Sequence, residues 1–176
     1  TGSSGTPYTH MIVGDANADG IGGVPLLNDP IYVPRDRADI SLAGTAVHQD
    51  SVWTALDDLI RAESCLSRQR GRVLERNRCR NPWFGTINAR LTKTVPTRAG
   101  ESLELTADVY NVLNLINSDW GVYRRTIQDP WVQTLQLVGY DTANGRGVYD
   151  YLFRGARRIQ DLESRWQMQL GLRYVF

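Results

Sequence analysis

At 176 residues, with 41% hydrophobic and 22% charged side chains, the chain has the composition of one ordinary folded domain. A formal charge of +1 excludes nucleic acid as the main partner, because duplex binding needs a concentrated basic surface. A mean hydropathy of −0.36 and the lack of any run near eighteen apolar residues leave no membrane helix, so any passage through lipid falls to barrel strands.

The first residues, Thr1-Gly2-Ser3-Ser4-Gly5, have neither the basic start nor the apolar core of a signal peptide, as expected of a mature chain or an excised piece. A short strand is expected at residues 8–13. Asp15-x-Asn17-x-Asp19-Gly20 then sets oxygen ligands at alternate positions with a glycine at the sharp turn, and Ile21 adds a carbonyl. The twelfth position of this candidate calcium loop is Leu26 instead of a carboxylate; an insertion at Gly22-Gly23-Val24-Pro25 would hand that role to Asp29. The other reading is an Asx-rich turn whose carboxylates cap their own backbone. No other cofactor is called for.

Val52, Trp53, Leu56, Leu59 and Ile60 form an apolar stripe that predicts a helix over residues 51–63, capped by Asp50 or Ser51. Asp57 and Asp58 are adjacent on it, so they point apart and form a solvated face, not a catalytic pair. Cys65 and Cys79 follow without metal-ligand spacing. In an oxidising compartment they are read as a disulfide closing one loop, worth about 3 kcal/mol; in a reducing one, as two free thiols. Between and around them Arg68, Arg70, Arg72, Arg76, Arg78 and Arg80 make a basic run, read as a solvated loop facing anionic headgroups or lipopolysaccharide.

From 83 to 95 the odd positions read Trp83, Gly85, Ile87, Ala89, Leu91, Lys93 and Val95 and the even ones are mostly polar, which predicts a strand broken by Pro96. A short turn, Thr97-Arg98-Ala99-Gly100-Glu101, leads to a second strand at Ser102–Tyr110, with Leu103, Leu105, Ala107 and Val109 on one face. A further hairpin is expected to join residues 132–140 to 147–153 around Asn144-Gly145 and to protrude from the rest. The last eleven residues alternate once more. Trp166, Met168, Leu170, Leu172, Tyr174 and Phe176 share a face with aromatics at both ends and aliphatics between, the arrangement of a membrane strand with rings at two interfaces. At about 45° tilt such a strand spans about 26 Å, close to the apolar band of an outer-membrane barrel.

A soluble sandwich would use the same alternation to face a protein core. What separates the two is the opposite face, which carries Arg90, Glu104, Asp108 and Arg173 and suits a wet lumen. Connection lengths agree, with one short turn set against two long loops. The expected fold is all-β: an incomplete antiparallel transmembrane β-barrel segment whose long extracellular loops hold a short helix and a hairpin. Its parts are a strand end and long extracellular loop at 1–82, a strand hairpin at 83–110, an extracellular loop at 111–163 and a terminal strand at 164–176. Lipid-facing residues are Ile87, Leu91, Leu103, Leu105, Trp166, Met168, Leu170, Leu172, Tyr174 and Phe176; lumenal ones are Arg90, Glu104, Asp108 and Arg173.

Gly5-Thr6-Pro7-Tyr8 leading to Gly14-Asp15-Ala16-Asn17-Ala18-Asp19-Gly20, then Asn28-Asp29-Pro30-Ile31-Tyr32-Val33-Pro34, resembles the late extracellular loop of TonB-dependent receptors, most closely the Oar-like barrels. Glu75-Arg76-Asn77, Asn81-Pro82-Trp83, Asp108-Val109-Tyr110-Asn111-Val112-Leu113-Asn114 and the final residues 165–176 extend the resemblance along the chain. It implies the C-terminal piece of a larger bacterial outer-membrane barrel that takes up a bulky nutrient with energy relayed by TonB. The implied partners are outer-membrane lipid and lipopolysaccharide, the remainder of the barrel with its plug, and the TonB system through parts this chain lacks. The resemblance further implies that Phe176 is an assembly signal. No enzyme is expected: His10 and His48 lie near no nucleophile elbow, and no metalloprotease or Walker spacing occurs. The alternatives are a secreted or surface calcium-binding or adhesive β-domain, and a soluble sandwich enzyme.

Overall fold

The computed structural model describes residues 2–22, 27–97, 100–126, 131–153 and 157–176. Strands outweigh helices, and no described helix is long and apolar enough to cross a membrane. The described strands fall into five separate sheets, none of which closes into a barrel. Contacts divide the chain into two units, one of Thr6–Asn81 and Thr126–Arg157, the other of Thr1–Gly5, Pro82–Arg125 and Arg158–Phe176.

The first unit is built on Pro7–Val13. Its residues Tyr8 to Ile12 are buried without interruption, because the strand is interior to the sheet and covered on both faces. The sheet order is Ser41–Leu42, Arg146–Tyr151, Trp131–Asp141, Pro7–Val13 and Cys79–Arg80. Trp131–Asp141 runs parallel to Pro7–Val13 and antiparallel to Arg146–Tyr151, the expected hairpin around Asn144 and Gly145. That hairpin does not simply protrude: Val132 and Leu135 are buried in the core with Tyr8, Ile12, Ile31, Val33, Leu66 and Leu74. The helix covering this core runs over Ala46–Ala62 and buries Val52, Leu56, Leu59 and Ile60 of the predicted stripe, with Trp53 half-buried against them. It starts five residues earlier than the sequence suggested. Thr45, not Asp50 or Ser51, is the cap, its side chain accepting from the His48 amide. The stripe marks only buried turns; Ala46 to Ser51 form a first turn and a half that is almost wholly solvated and carries no apolar period. The two segments expected as separate loops therefore contribute to a common core, and the strand at 8–13 belongs to that core, not to the sheet of the second unit.

The second unit is organised around three antiparallel strands in the order Gln167–Val175, Ser102–Tyr110, Ala89–Pro96. The predicted strand at 83–95 is shorter than expected. Phe84–Gly85 pairs separately with Gly2–Ser3, and the long strand begins only at Ala89. Ile87 lies in the intervening segment, where its carbonyl accepts from the Val112 amide, so it is exposed but is no part of the sheet face. Pro96 ends the strand from inside, as its last residue, opposite Ser102. Of the expected turn, Arg98 and Ala99 lie outside the described residues; Thr97 closes it by donating to the Glu101 carbonyl.

Candidate functional site

Direct cross-strand partners in an antiparallel sheet lie on the same face, so the register sorts the side chains of the three strands. Met168 opposes Val109 and Ala89; Leu170 opposes Ala107 and Leu91; Leu172 opposes Leu105 and Lys93; Tyr174 opposes Leu103 and Val95. These four rows make one apolar face, with Lys93 its sole charge. The face is uncovered within this chain: Leu91 is 71%, Leu170 74% and Leu172 68% exposed, and Phe176 is 97% exposed. The opposite face reads Gln169, Asp108, Arg90; Gly171, Thr106, Thr92; Arg173, Glu104, Thr94. Arg90 binds Asp108 through both Nε and Nη2, at 2.6 and 3.0 Å, a fork that holds two neighbouring strands in register. The register thus brings the predicted lumenal residues Arg90, Asp108, Glu104 and Arg173 together, and the predicted outward residues Leu91, Leu103, Leu105, Met168, Leu170, Leu172 and Tyr174 together. The aromatic residues near the chain end are linked, with the Tyr174 and Phe176 rings 6.4 Å apart and the Tyr174 hydroxyl donating to Glu101. The outer edges of Gln167–Val175 and Ala89–Pro96 have no strand partner among the described residues.

One residue ties the far end of all three strands, and sequence reasoning gave it no role. Asn111 is buried; its amide donates to Asn88 Oδ1 at 2.9 Å, and its Nδ2 donates to the carbonyls of Gly121 at 2.9 Å and Ser164 at 2.6 Å. Asn88 precedes the first strand, Asn111 follows the second and Ser164 precedes the third. Asn111 sits at φ +53, a left-handed conformation that asparagine tolerates better than other non-glycine residues. Gly121 must be glycine, since a Cβ there would fall 2.1 Å from Asn111 Oδ1.

In the first unit, the Asp15 loop forms a network of side-chain caps. Asp15 accepts from the amides of Asp19 and Gly20, Asp19 Oδ1 accepts from Ile21, and Asp29 Oδ2 accepts from Ala16 and Asn17. Asn17 and Asn28 donate to Asp19 Oδ2, and these contacts, the Ile21 amide first, hold the Asp19 carboxyl below its ordinary range. Ile21 is placed by its amide and offers its side chain to solvent. Among the described residues no three His, Cys, Asp or Glu side chains stand where they could hold one metal ion. Leu26 and the Gly23-Val24-Pro25 segment of the proposed loop lie outside the described residues.

Cys65 and Cys79 are bridged, with Cα atoms 5.1 Å apart, the disulfide of the two readings of this pair. His10 is the most unusual titratable group. A bulge in Trp131–Asp141 leaves Thr134 without a partner in Pro7–Val13 and aims its hydroxyl at His10 Nδ1, 2.7 Å away. That hydroxyl also lies 3.1 Å from the Val132 carbonyl, and His10 Nε2 is buried without a hydrogen-bond partner among the described residues. The ring is wedged edge-on between Tyr8 and Phe153, and burial pushes its pKa down to about 4. Nearby, a cleft of about 280 Å³ is floored by Ile12, Ile40 and Leu135 and edged by Tyr32, Tyr149 and Arg146. At its rim Arg35 grips Asp39 through both Nε and Nη2, and together with the Tyr32 hydroxyl it holds that carboxyl well below the usual carboxylate range. His48 Nε2 lies 3.2 Å from Asp150 Oδ1 on the surface; Asp58 is exposed as expected, whereas Asp57 is buried and bound by Arg61 and Arg70 instead of joining a solvated face.

No family model, curated protein or solved structure matches this chain.

Proposed function

We propose that this chain is a segment of a bacterial outer-membrane β-barrel, of the TonB-dependent receptor and transporter class, that contributes to energised uptake of a bulky nutrient. The observation that carries the proposal is the three-stranded sheet with an exposed aliphatic face, aromatics near its end, and an Arg90–Asp108 pair on the reverse. An uncovered face of leucines is costly in water, at roughly 25 cal/mol per Å² of apolar surface, but not against lipid tails. A charged reverse face suits a wet lumen and would be a poor sandwich core. On this reading the unpaired edges of Gln167–Val175 and Ala89–Pro96 continue into other strands of the same barrel, since an open edge is not tolerated in lipid. The first unit, with its disulfide and capped loops, is then the extracellular part, and a plug and the TonB system act through the remainder of the receptor.

The test is site-directed labelling in isolated outer membranes of cells making the full receptor. Leu170→Cys and Leu91→Cys should react with a membrane-soluble maleimide and resist a charged one, whereas Gln169→Cys should show the reverse preference. Recovery of the chain in the soluble fraction, or equal reactivity of positions 169 and 170 toward both reagents, would overturn the proposal.

A further inference from the structure

The arginine-rich segment is folded more tightly than a solvated loop needs to be. Leu66, Leu74 and Cys79 are buried, the disulfide joins Cys65 to Cys79, and buried Gln69 accepts from the Glu75 amide at 2.9 Å. The Gly71 amide donates to Val33, and the Asn77 amide donates to Thr9 Oγ1, each from a left-handed backbone turn. These anchors sort the six arginines. Arg70 turns away to Asp57 and the Pro34 carbonyl, and Arg76 turns away to Asn28. Arg68, Arg72, Arg78 and Arg80 line one polar cleft of about 370 Å³ together with Glu75 and Asn77.

Four arginines and one glutamate therefore line a pre-formed cavity, Arg80 with a contact of its own. Glu75 approaches only Arg78, at 3.7 Å, and the Arg68 and Arg72 side chains have no protein partner among the described residues. A chain of near-zero net charge has no general reason to gather cations here, and an anion seated among them relieves the repulsion of like charges held together on a stapled loop. Guanidinium forks match phosphate oxygens in geometry, and the cleft is much larger than a single chloride needs. We infer that the Cys65–Cys79 loop is a phosphoryl-binding site in which Arg68 and Arg72, supported by Arg78 and Arg80, grip a phosphate or diphosphate group. The inference holds whether or not the chain spans a membrane.

Calorimetric titration of the full protein with pyrophosphate, and flotation with vesicles of phosphatidylcholine with and without lipopolysaccharide, test it at several salt concentrations. Arg68→Gln should weaken binding about tenfold, as loss of one charge-assisted contact does, and the Arg68→Gln/Arg72→Gln double variant should abolish it. Arg158→Gln, an equal charge change in the other unit, should leave it unchanged. Both arginines of the double variant are exposed, and an unaltered circular dichroism spectrum with an intact disulfide shows that the fold survives. Pyrophosphate binding lost in the double variant identifies a soluble phosphoryl ligand; binding only to lipopolysaccharide vesicles, lost in the same variant, identifies a lipid headgroup. No binding to either probe, or equal weakening by Arg158→Gln, overturns the inference.

Discussion

Replacing Leu170 with arginine probes the outward face where it should be least forgiving. Leu170 sits in the row Leu91–Ala107–Leu170, four residues from Trp166 and six from Phe176, so it lies within about 3 Å of the middle of the strand. It is 74% exposed, so no protein atoms crowd the new side chain and the whole effect should come from the surrounding medium. If that medium is lipid, Leu170→Arg should destabilise the assembled receptor by about 2–4 kcal/mol. Leu172→Arg, equally one residue from the strand midpoint at Gly171, should cost about as much, because depth controls the penalty. Gln169→Arg should cost little, since position 169 faces the polar side opposite Asp108. On the proposed reading, reversible unfolding of the full receptor in lipid vesicles, followed by tryptophan fluorescence against denaturant, gives the three values. Equal costs at 169 and 170, or a Leu170→Arg variant as stable as the parent, would refute the assignment of faces to lipid and lumen.

Lowering the pH should destabilise the first unit through His10. Its folded pKa of about 4 lies below the ordinary 6.5, so the unfolded chain binds the extra proton between those values; stability is full above pH 6.5, falls by about 3 kcal/mol on going down to pH 4, and changes no further through this group below it. A His10→Gln variant whose stability falls just as steeply over that window would disprove the mechanism. Reducing the Cys65–Cys79 bridge should remove about 3 kcal/mol, read as a shift in denaturant midpoint with and without a thiol reductant, and unchanged midpoints would count against it. Asn111→Ala should cost about 3 kcal/mol by stranding the Gly121 and Ser164 carbonyls and placing alanine at positive φ, whereas Asn111→Gly should recover about 1 kcal/mol of that; hydrogen exchange at the strand ends should rise in both. If the chain is part of an outer-membrane receptor as proposed, Phe176→Asp in the full receptor should lower outer-membrane levels, measured by fractionation, while leaving the disulfide of the other unit intact.

The sheet faces could be read from residues alone because alternation is a local property. A strand's period of two decides that Met168, Leu170 and Leu172 share a side whatever they pair with, and the same holds for Leu103, Leu105 and Ala107. The turn at Asn144 and Gly145 and the stripe of Ala46–Ala62 were legible for the same reason. Tertiary structure decided what no period encodes. Pro7–Val13 pairs in parallel with Trp131–Asp141, and His10 meets Thr134 across 124 residues of sequence, contacts that only chain closure can create. Fully buried strands carry no alternation, so nothing in residues 8–13 tells which sheet that strand joins. Asn111 looks in sequence like any turn residue, and its role exists only once three strand ends converge on one amide. The arginine run is plain to read, but which guanidinium groups face one cleft depends on where Leu66, Leu74 and Cys79 are pulled into the core.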